Sequence, residues 1–291
     1  MQVKDQNRKK HIINGILYYA VGLLIVILFL IPFIWMFFLS FKDSMDIFID
    51  PFGLPEKWDF SLYIDSFKTA KIWLMLKNSL LVTVTAVAIA MLLMFMSSYA
   101  IARLVRNGRK FNNFVYYLFL AGTAIPIFGQ LMTIYKIDAQ IAKIIPILGV
   151  GSKWGLILPY IVIQFPMLTL IMVGGLRGVP TALEEAAVID GCGLLGIMFR
   201  VVLPTVKPVF MTALIINFLA IWNEFPIANI ILTNQSDYTV PMATLMFKRN
   251  YASDYGGMLR AALMLMVPQF IFYLIFQKNI VEGMATAGIK G

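Results

Sequence analysis

The chain has 291 residues, 60% of them hydrophobic and only 13% charged, with a formal net charge of +9. A soluble domain carries roughly 25% charged residues. A chain this apolar, with a mean hydropathy of +0.82, cannot cover itself with polar surface in water, whereas lipid tails solvate Leu, Ile and Phe directly. One cysteine, Cys192, and one histidine, His11, leave little material for an internal disulfide, a Cys/His zinc site or a Cys–His nucleophile pair. The positive charge does not call for nucleic acid, because basic residues at helix ends anchor a membrane protein against anionic lipid heads.

The apolar residues come in six blocks near the length that a helix needs to cross about 30 Å of hydrocarbon. They are Ile16–Phe41, Trp73–Ala102, Asn113–Tyr135, Trp154–Leu176, Pro208–Thr233 and Ala261–Phe276, the last extended by Gly257–Arg260. The expected fold is all-α and integral to the membrane, with six transmembrane helices in a single membrane domain, 1–291. A transmembrane barrel would instead alternate polar and apolar residues in segments of about ten.

The first block follows a basic start (Lys4, Arg8, Lys9, Lys10), but its apolar run exceeds the roughly 7–15 residues of a signal sequence, so it reads as a retained span. Residues 1–15 then form a tail. Thirteen of the 24 basic residues fall on the side of that tail, eight of them in the tail itself and in the loop after the second span (Arg103, Arg106, Arg109, Lys110). Dense early clusters favour the cytoplasm, so both termini are expected inside, the last 14 residues (278–291) forming a cytoplasmic tail.

Between spans, Lys42–Ile72 holds Pro51, Pro55 and six acids, and is expected to form a small outer cap. Lys136–Lys153 reads as a short amphipathic loop, and Asn234–Leu259 as a long polar one. Prolines interrupt several spans (Pro126, Pro159, Pro166, Pro226, Pro268); such breaks are tolerated in lipid where they face protein or a wet cavity. In span 5, Glu224 is the only carboxylate placed within a span. With Asn217 and Asn223 it is a candidate for the path or its gate, because intramembrane charge points to function. The other reading puts Glu224 at the wet outer end of the span.

The loop Arg177–Lys207 is long for a connector. Thr181 followed by Glu184 has capping-box spacing, acids sit in the first turn of the helix they open, Gly191 breaks that helix, and a second helix is expected from Leu194 to Val202, stopping before Pro204. Gly191, Gly193 and Gly196 formally spell a G-x-G-x-x-G string, but a dinucleotide site needs a strand before it, and here a helix precedes. No G-x-x-x-x-G-K-[ST] string occurs, so the chain carries no nucleotide loop of that kind.

In this hairpin Glu185-Ala186-Ala187 is followed three residues on by Gly191, and nine residues later by Val201, Val202, Leu203 and Pro204. The spacing resembles the EAA motif of bacterial ABC importer permeases, EAA-x3-G-x9-I-x-LP, with Val201 in place of isoleucine. The six-span layout, the string Trp222-Asn223-Glu224-Phe225 and the ending Val281–Gly291 extend the likeness. Together they resemble the second permease subunit of the maltose-type family of carbohydrate importers.

The resemblance implies a type I importer permease, multi-pass in the bacterial inner membrane. It pairs with a second, homologous permease, two ATP-binding subunits that hold ATP and magnesium, and an extracytoplasmic sugar-binding protein. This chain would bind no cofactor and catalyse nothing itself. The hairpin would dock on the ATPase through Glu185, Ala186, Ala187, Asp190 and Gly191, with Leu203 and Pro204 passing the push to span 5. Glu282, Gly283, Gly288 and Lys290 of the tail would reach the ATPase pair, and Lys248, Arg249, Asn250 and Tyr251 would contact the binding protein. An importer of another solute, or an ion-gradient carrier using Glu224, are the competing readings.

Overall fold

The structure, a computed structural model, describes residues 2–104, 109–248 and 253–288. Every regular element among them is helical. Four helices are long and apolar enough to cross a membrane: Gly15–Leu39, Ile72–Arg103, Lys153–Arg177 and Tyr255–Lys278. Two sharply bent pairs, 111–123 with 127–144 and 194–205 with 207–222, raise the number to six if each pair crosses as one span.

The described residues fall into two compact units. One is built from the chain up to Ala70 with Thr244–Met264; the other from Lys71–Ala243 with the chain from Leu265.

The first unit opens with α1 (Gln2–Leu39), so the expected tail is helical from its second residue. The apolar stretch of α1 is not buried anywhere within the chain: Leu23, Phe29 and Ile31 are all exposed. A helix bare and apolar all round needs lipid or another chain around it. The cap follows as α2 (Ser44–Ile49) and α3 (Ser61–Thr69). Phe41 is its apolar anchor, with the rings of Trp58, Phe60 and Tyr63 about it at 5.1 to 5.5 Å. Its polar anchor is Arg260, near the start of α13 (Tyr255–Gly288) and 6% exposed. The guanidinium donates to Ser66 Oγ at 2.7 Å and to the Ser40 carbonyl at 2.8 Å, and pairs with Asp254 at 3.4 Å. Burial pushes the Tyr63 phenol above its ordinary pKa, against the pull of its hydrogen bond with Ser40.

The second unit is organised on α4 (Ile72–Tyr99) and α7 (Ile157–Arg177), which run parallel and pack along their length. The buried positions of α4 recur every three to four residues: Met75, Ser79, Val82, Ala86, Ala90, Met94 and Ser98. Small side chains on that face let backbones approach, as membrane helix pairs require. Ser98 Oγ crosses to the Thr169 carbonyl at 3.3 Å. At the start of α4, Asn78 donates to the carbonyls of Ser236 and Tyr238, and Lys153 reaches both Asn78 Oδ1 (2.8 Å) and Asp237 (3.7 Å). Much of the expected polar loop 234–259 is therefore packed structure: Val240, Met242, Ala243 and Phe247 are buried.

Two expected spans are broken. The third divides into α5 (Arg109–Thr123) and α6 (Ile127–Ile144), bent by 102°. Pro126 is the cause: it disfavours helix at Ile125 and has no N–H for the ladder. The stretch 136–144, expected as loop, completes α6, and Asp138 on it is buried at 1% exposure. A carboxylate was thus missed, and neither of its oxygens has a hydrogen-bond partner among the described residues. The fifth span divides into α11 (Lys207–Trp222) and α12 (Pro226–Ile231), with Asn223–Phe225 between them.

Candidate functional site

The hairpin begins where α7 ends. α8 (Ala182–Ile189) follows Thr181, but the capping box does not form: Thr181 is already helical and its side chain makes no cap bond. Glu184 is used otherwise. Its Oε1 accepts from Arg103 Nε at 2.7 Å and its Oε2 from the Tyr99 hydroxyl at 2.8 Å. The second nitrogen of the Arg103 fork donates to the carbonyls of Leu176 (2.8 Å) and Val179 (2.6 Å). Tyr99 closes α4, and Arg103 lies on the π-helical turn Ala100–Leu104 that continues it. These groups line a cleft of about 1030 Å³ with Asn112, Arg177, Thr181 and Glu185. Arg177 rests on the Tyr116 ring, 4.9 Å from its centroid.

α8 ends in a Schellman motif. Gly191 donates to the Val188 carbonyl at 3.0 Å and Cys192 to the Ala187 carbonyl at 2.9 Å, the paired bonds that satisfy a helix C-terminus. The motif needs a left-handed residue, and Gly191 supplies it at φ +77°. The chain then re-enters helix as α9 (Leu194–Gly196), a π-helical turn (Ile197–Val202) and α10 (Leu203–Thr205). This helix does not stop before Pro204, as expected, but runs through it. The wider turn ahead of Pro204 leaves room for its ring, which would strike the carbonyl four residues back in a regular helix. The break falls at Val206, and α11 departs at 85°. α11 lies against α7 closely enough that a Cβ on Gly175 would sit 2.8 Å from Val209.

The free surface of the hairpin mixes charge and apolar bulk. Glu185, Ala186 and Asp190 are exposed, as are Val188 (60%), Ile189 (85%) and Leu195 (62%). Ala187, expected on the contact face, is buried and packs inward.

The three expected path residues are not one cluster. Asn217 is fully buried, its amide without a hydrogen-bond partner among the described residues. Asn223 is exposed and hydrogen-bonds to the Leu219 carbonyl and to Gln269. Glu224 turns onto the start of α12, accepting from Ile227 N at 2.7 Å, Ala228 N at 3.1 Å and the Tyr160 hydroxyl at 3.0 Å. It caps the start of α12 and is half-buried there, not wet. Beside the break, Phe218 stacks on Phe272 at 4.0 Å, and Trp222 continues the stack.

Glu282, Gly283 and Gly288 lie within α13. Lys248 is exposed; Arg249, Asn250, Tyr251 and Lys290 lie outside the described residues.

A hairpin of this shape between the fourth and fifth apolar blocks is the site's defining feature, and residues 98–285, which enclose it, match the family model "Binding-protein-dependent transport system inner membrane component". The chain belongs to that family. It is a membrane component of a transport system and not an enzyme. The chain is 31% identical to the diacetylchitobiose uptake system permease protein NgcG of Streptomyces coelicolor, over 90% of this chain and 84% of that protein. It is 33% identical to the multiple sugar-binding transport system permease protein MsmG of Streptococcus mutans, over 91% and 93%. A similar fold, at TM-score 0.70 and 20% identity, covers 91% of this chain and 96% of one chain in the crystal structure of a bacterial ABC transporter that imports the acidic polysaccharide alginate.

The Arg103–Glu184 pair was not found by sequence reasoning. Each residue already had a sufficient local explanation, Arg103 as a basic span end and Glu184 as a capping-box acid. Their separation of 81 positions carries no periodic signal.

Proposed function

We propose that the chain forms one half of the translocation path of a sugar-importing ABC transporter, and that the hairpin 177–207 docks on a separate ATPase. The carrying observation is the hairpin's bare tip. Ile189, Leu195 and Val188 are large, apolar and exposed among the described residues, beside exposed Glu185 and Asp190. Exposed apolar groups rimmed by charge are what a protein partner covers. Asp190 also stands at the negative end of α8, where a carboxylate is locally disfavoured, and a basic group on the partner would relieve it.

The remaining partners follow from the same reading: a second, different permease against the bare apolar surface, two ATPase subunits at the hairpin, and a sugar-binding protein at the loop that includes Lys248. Both termini then lie in the cytoplasm, and the end of α13, with Glu282, Gly283 and Gly288, points toward the ATPase pair. The similarity to permeases named for diacetylchitobiose and multiple-sugar uptake supports a di- or oligosaccharide as cargo. Asn223, with the neighbouring stack of Trp222, Phe218 and Phe272, offers the polar and aromatic groups that sugars use. The oxygens of Glu224 already take three hydrogen bonds, which supports the importer reading over a carrier that couples an ion at Glu224.

The test is reconstitution of the chain in proteoliposomes with the permease, ATPase and binding protein encoded beside it, with uptake and ATP hydrolysis measured together. Wild type is expected to import a di- or oligosaccharide only with ATP. Glu185→Ala combined with Ile189→Asp is expected to insert normally yet lose the ATPase on purification. Uptake that persists without any ATPase subunit would overturn the reading, and uptake of amino acids but no sugar would overturn its cargo.

A further inference from the structure

We infer that Arg103 is a positioning residue for energy coupling: it ties α8 to the ends of α4 and α7, so that movement of the hairpin is carried directly into those two membrane helices. The inference rests on the hairpin being the ATPase contact.

The argument starts from what the guanidinium holds. A planar fork with five donors can serve several acceptors at once without losing its geometry. Here it serves three, on two different elements and the turn between them: Glu184 of α8, the Leu176 carbonyl in the last turn of α7, and the Val179 carbonyl just beyond. The last carbonyls of a helix have no partner within it, so Arg103 is an external cap for α7. Its own backbone belongs to the continuation of α4. Three parts of the chain meet in one side chain.

The joint is also sheltered, at the wall of the cleft. The side chains of Arg103 and Glu184 are only 12% and 13% exposed. An ion pair so placed is poorly screened and costly to open by one partner alone. Tyr99 adds a second bond from α4 to the same carboxylate. The π-helical turn Ala100–Leu104 lies at the point where α4 must present Tyr99 and Arg103 together, and such turns are common at functional positions.

The alternative route from α8 into the membrane is through the backbone. It passes the left-handed turn at Gly191, the helix 194–205 and the 85° bend before α11. That route has two joints, and its support against α4 is apolar: Phe199, and Phe210 of α11, lie 5.5 and 6.1 Å from Phe95. Apolar contacts are non-directional and can slide. The Arg103 joint is directional and has no flexible segment between the surface that is pushed and the helices that must tilt. With it in place, α4, α7 and α8 move as one body.

The experiment uses the reconstituted transporter and reads sugar imported per ATP hydrolysed, together with the amount of ATPase that purifies with the complex. Arg103→Gln and Glu184→Gln are each expected to keep the ATPase bound and hydrolysing while sugar per ATP falls by about 2- to 30-fold, the range for removing one link in a coupling network. The double variant is expected to be no worse than either single one, because both remove the same link. Arg103→Lys, which keeps the charge and can reach only part of the acceptor set, is expected to fall between wild type and Arg103→Gln, and it serves if Arg103→Gln fails to insert. Wild-type sugar per ATP in Arg103→Gln overturns the inference. So does loss of uptake in strict proportion to loss of bound ATPase, which would make Arg103 a builder of the docking surface only. Failure of the wild-type complex itself to import with ATP would count against the proposed function instead.

Discussion

At the scale of single residues, Gly191 shows how much a local signal can establish. A glycine after a short apolar-acidic helix reads as a helix stop, and the structure turns there through a left-handed residue with both Schellman bonds in place. A Cβ on Gly191 would meet no atom within 4 Å, so a substitution is penalised by backbone strain alone. Gly191→Val is expected to destabilise the hairpin by about 1–2 kcal/mol, the left-handed penalty for an L-residue. Gly191→Asn should lose much less, since asparagine tolerates that region. The check is the midpoint of ATPase co-purification against rising detergent or temperature. Equal losses for Val and Asn would show that bulk, and not backbone conformation, is what the position resists. Glu184 teaches the reverse. Its spacing from Thr181 fits a capping box, yet its carboxylate is taken by Arg103 and Tyr99, because two strong charge-assisted bonds outweigh one bond to a backbone amide. A partner 81 positions away is invisible to any rule based on local spacing, and so was Asp138, hidden in what reads as an amphipathic loop.

At the scale of elements, hydropathy located six apolar blocks but not their breaks. An average over about 20 residues passes smoothly across Ile125-Pro126 and across Asn223-Glu224, where the helices stop. The breaks follow from single residues: a proline that cannot donate, and a glutamate whose oxygens open a new helix. Packing between unbroken helices shows instead in which residues the structure buries, the small ones on one face of α4. Ala86 and Ala90 are fully buried while Ala88, between them, is exposed. Ala90→Leu is therefore expected to destabilise by about 1–3 kcal/mol through overpacking, while Ala88→Leu should leave stability within about 0.5 kcal/mol. Thermal unfolding of both variants in one detergent checks this. Equal shifts would mean that the face turned away from α7 is covered as tightly as the face against it.

At the scale of the whole molecule, the proposed reading makes a prediction about sidedness: the hairpin faces the cytoplasm, where the ATPase would reach it. The chain carries its own reporter. Cys192 is its sole cysteine and is exposed at the hairpin tip, one residue past the left-handed turn. No engineered thiol is needed, and no other thiol in this chain competes. A membrane-impermeant maleimide is expected to label Cys192 in inside-out vesicles and not in right-side-out ones, because basic clusters at the early span ends favour the cytoplasm. In inside-out vesicles that also contain the ATPase subunits, labelling is expected to fall by at least about tenfold, since the neighbouring Ile189 and Leu195 would be covered and a buried centre of an interface excludes water and solutes. Labelling from the outside alone would invert the topology, and the hairpin would then face the binding protein. Labelling from the inside that the ATPase leaves unchanged would keep the topology but remove the tip from the interface. The ATPase would then have to grip the chain elsewhere, with the helical end of α13 as the nearest alternative.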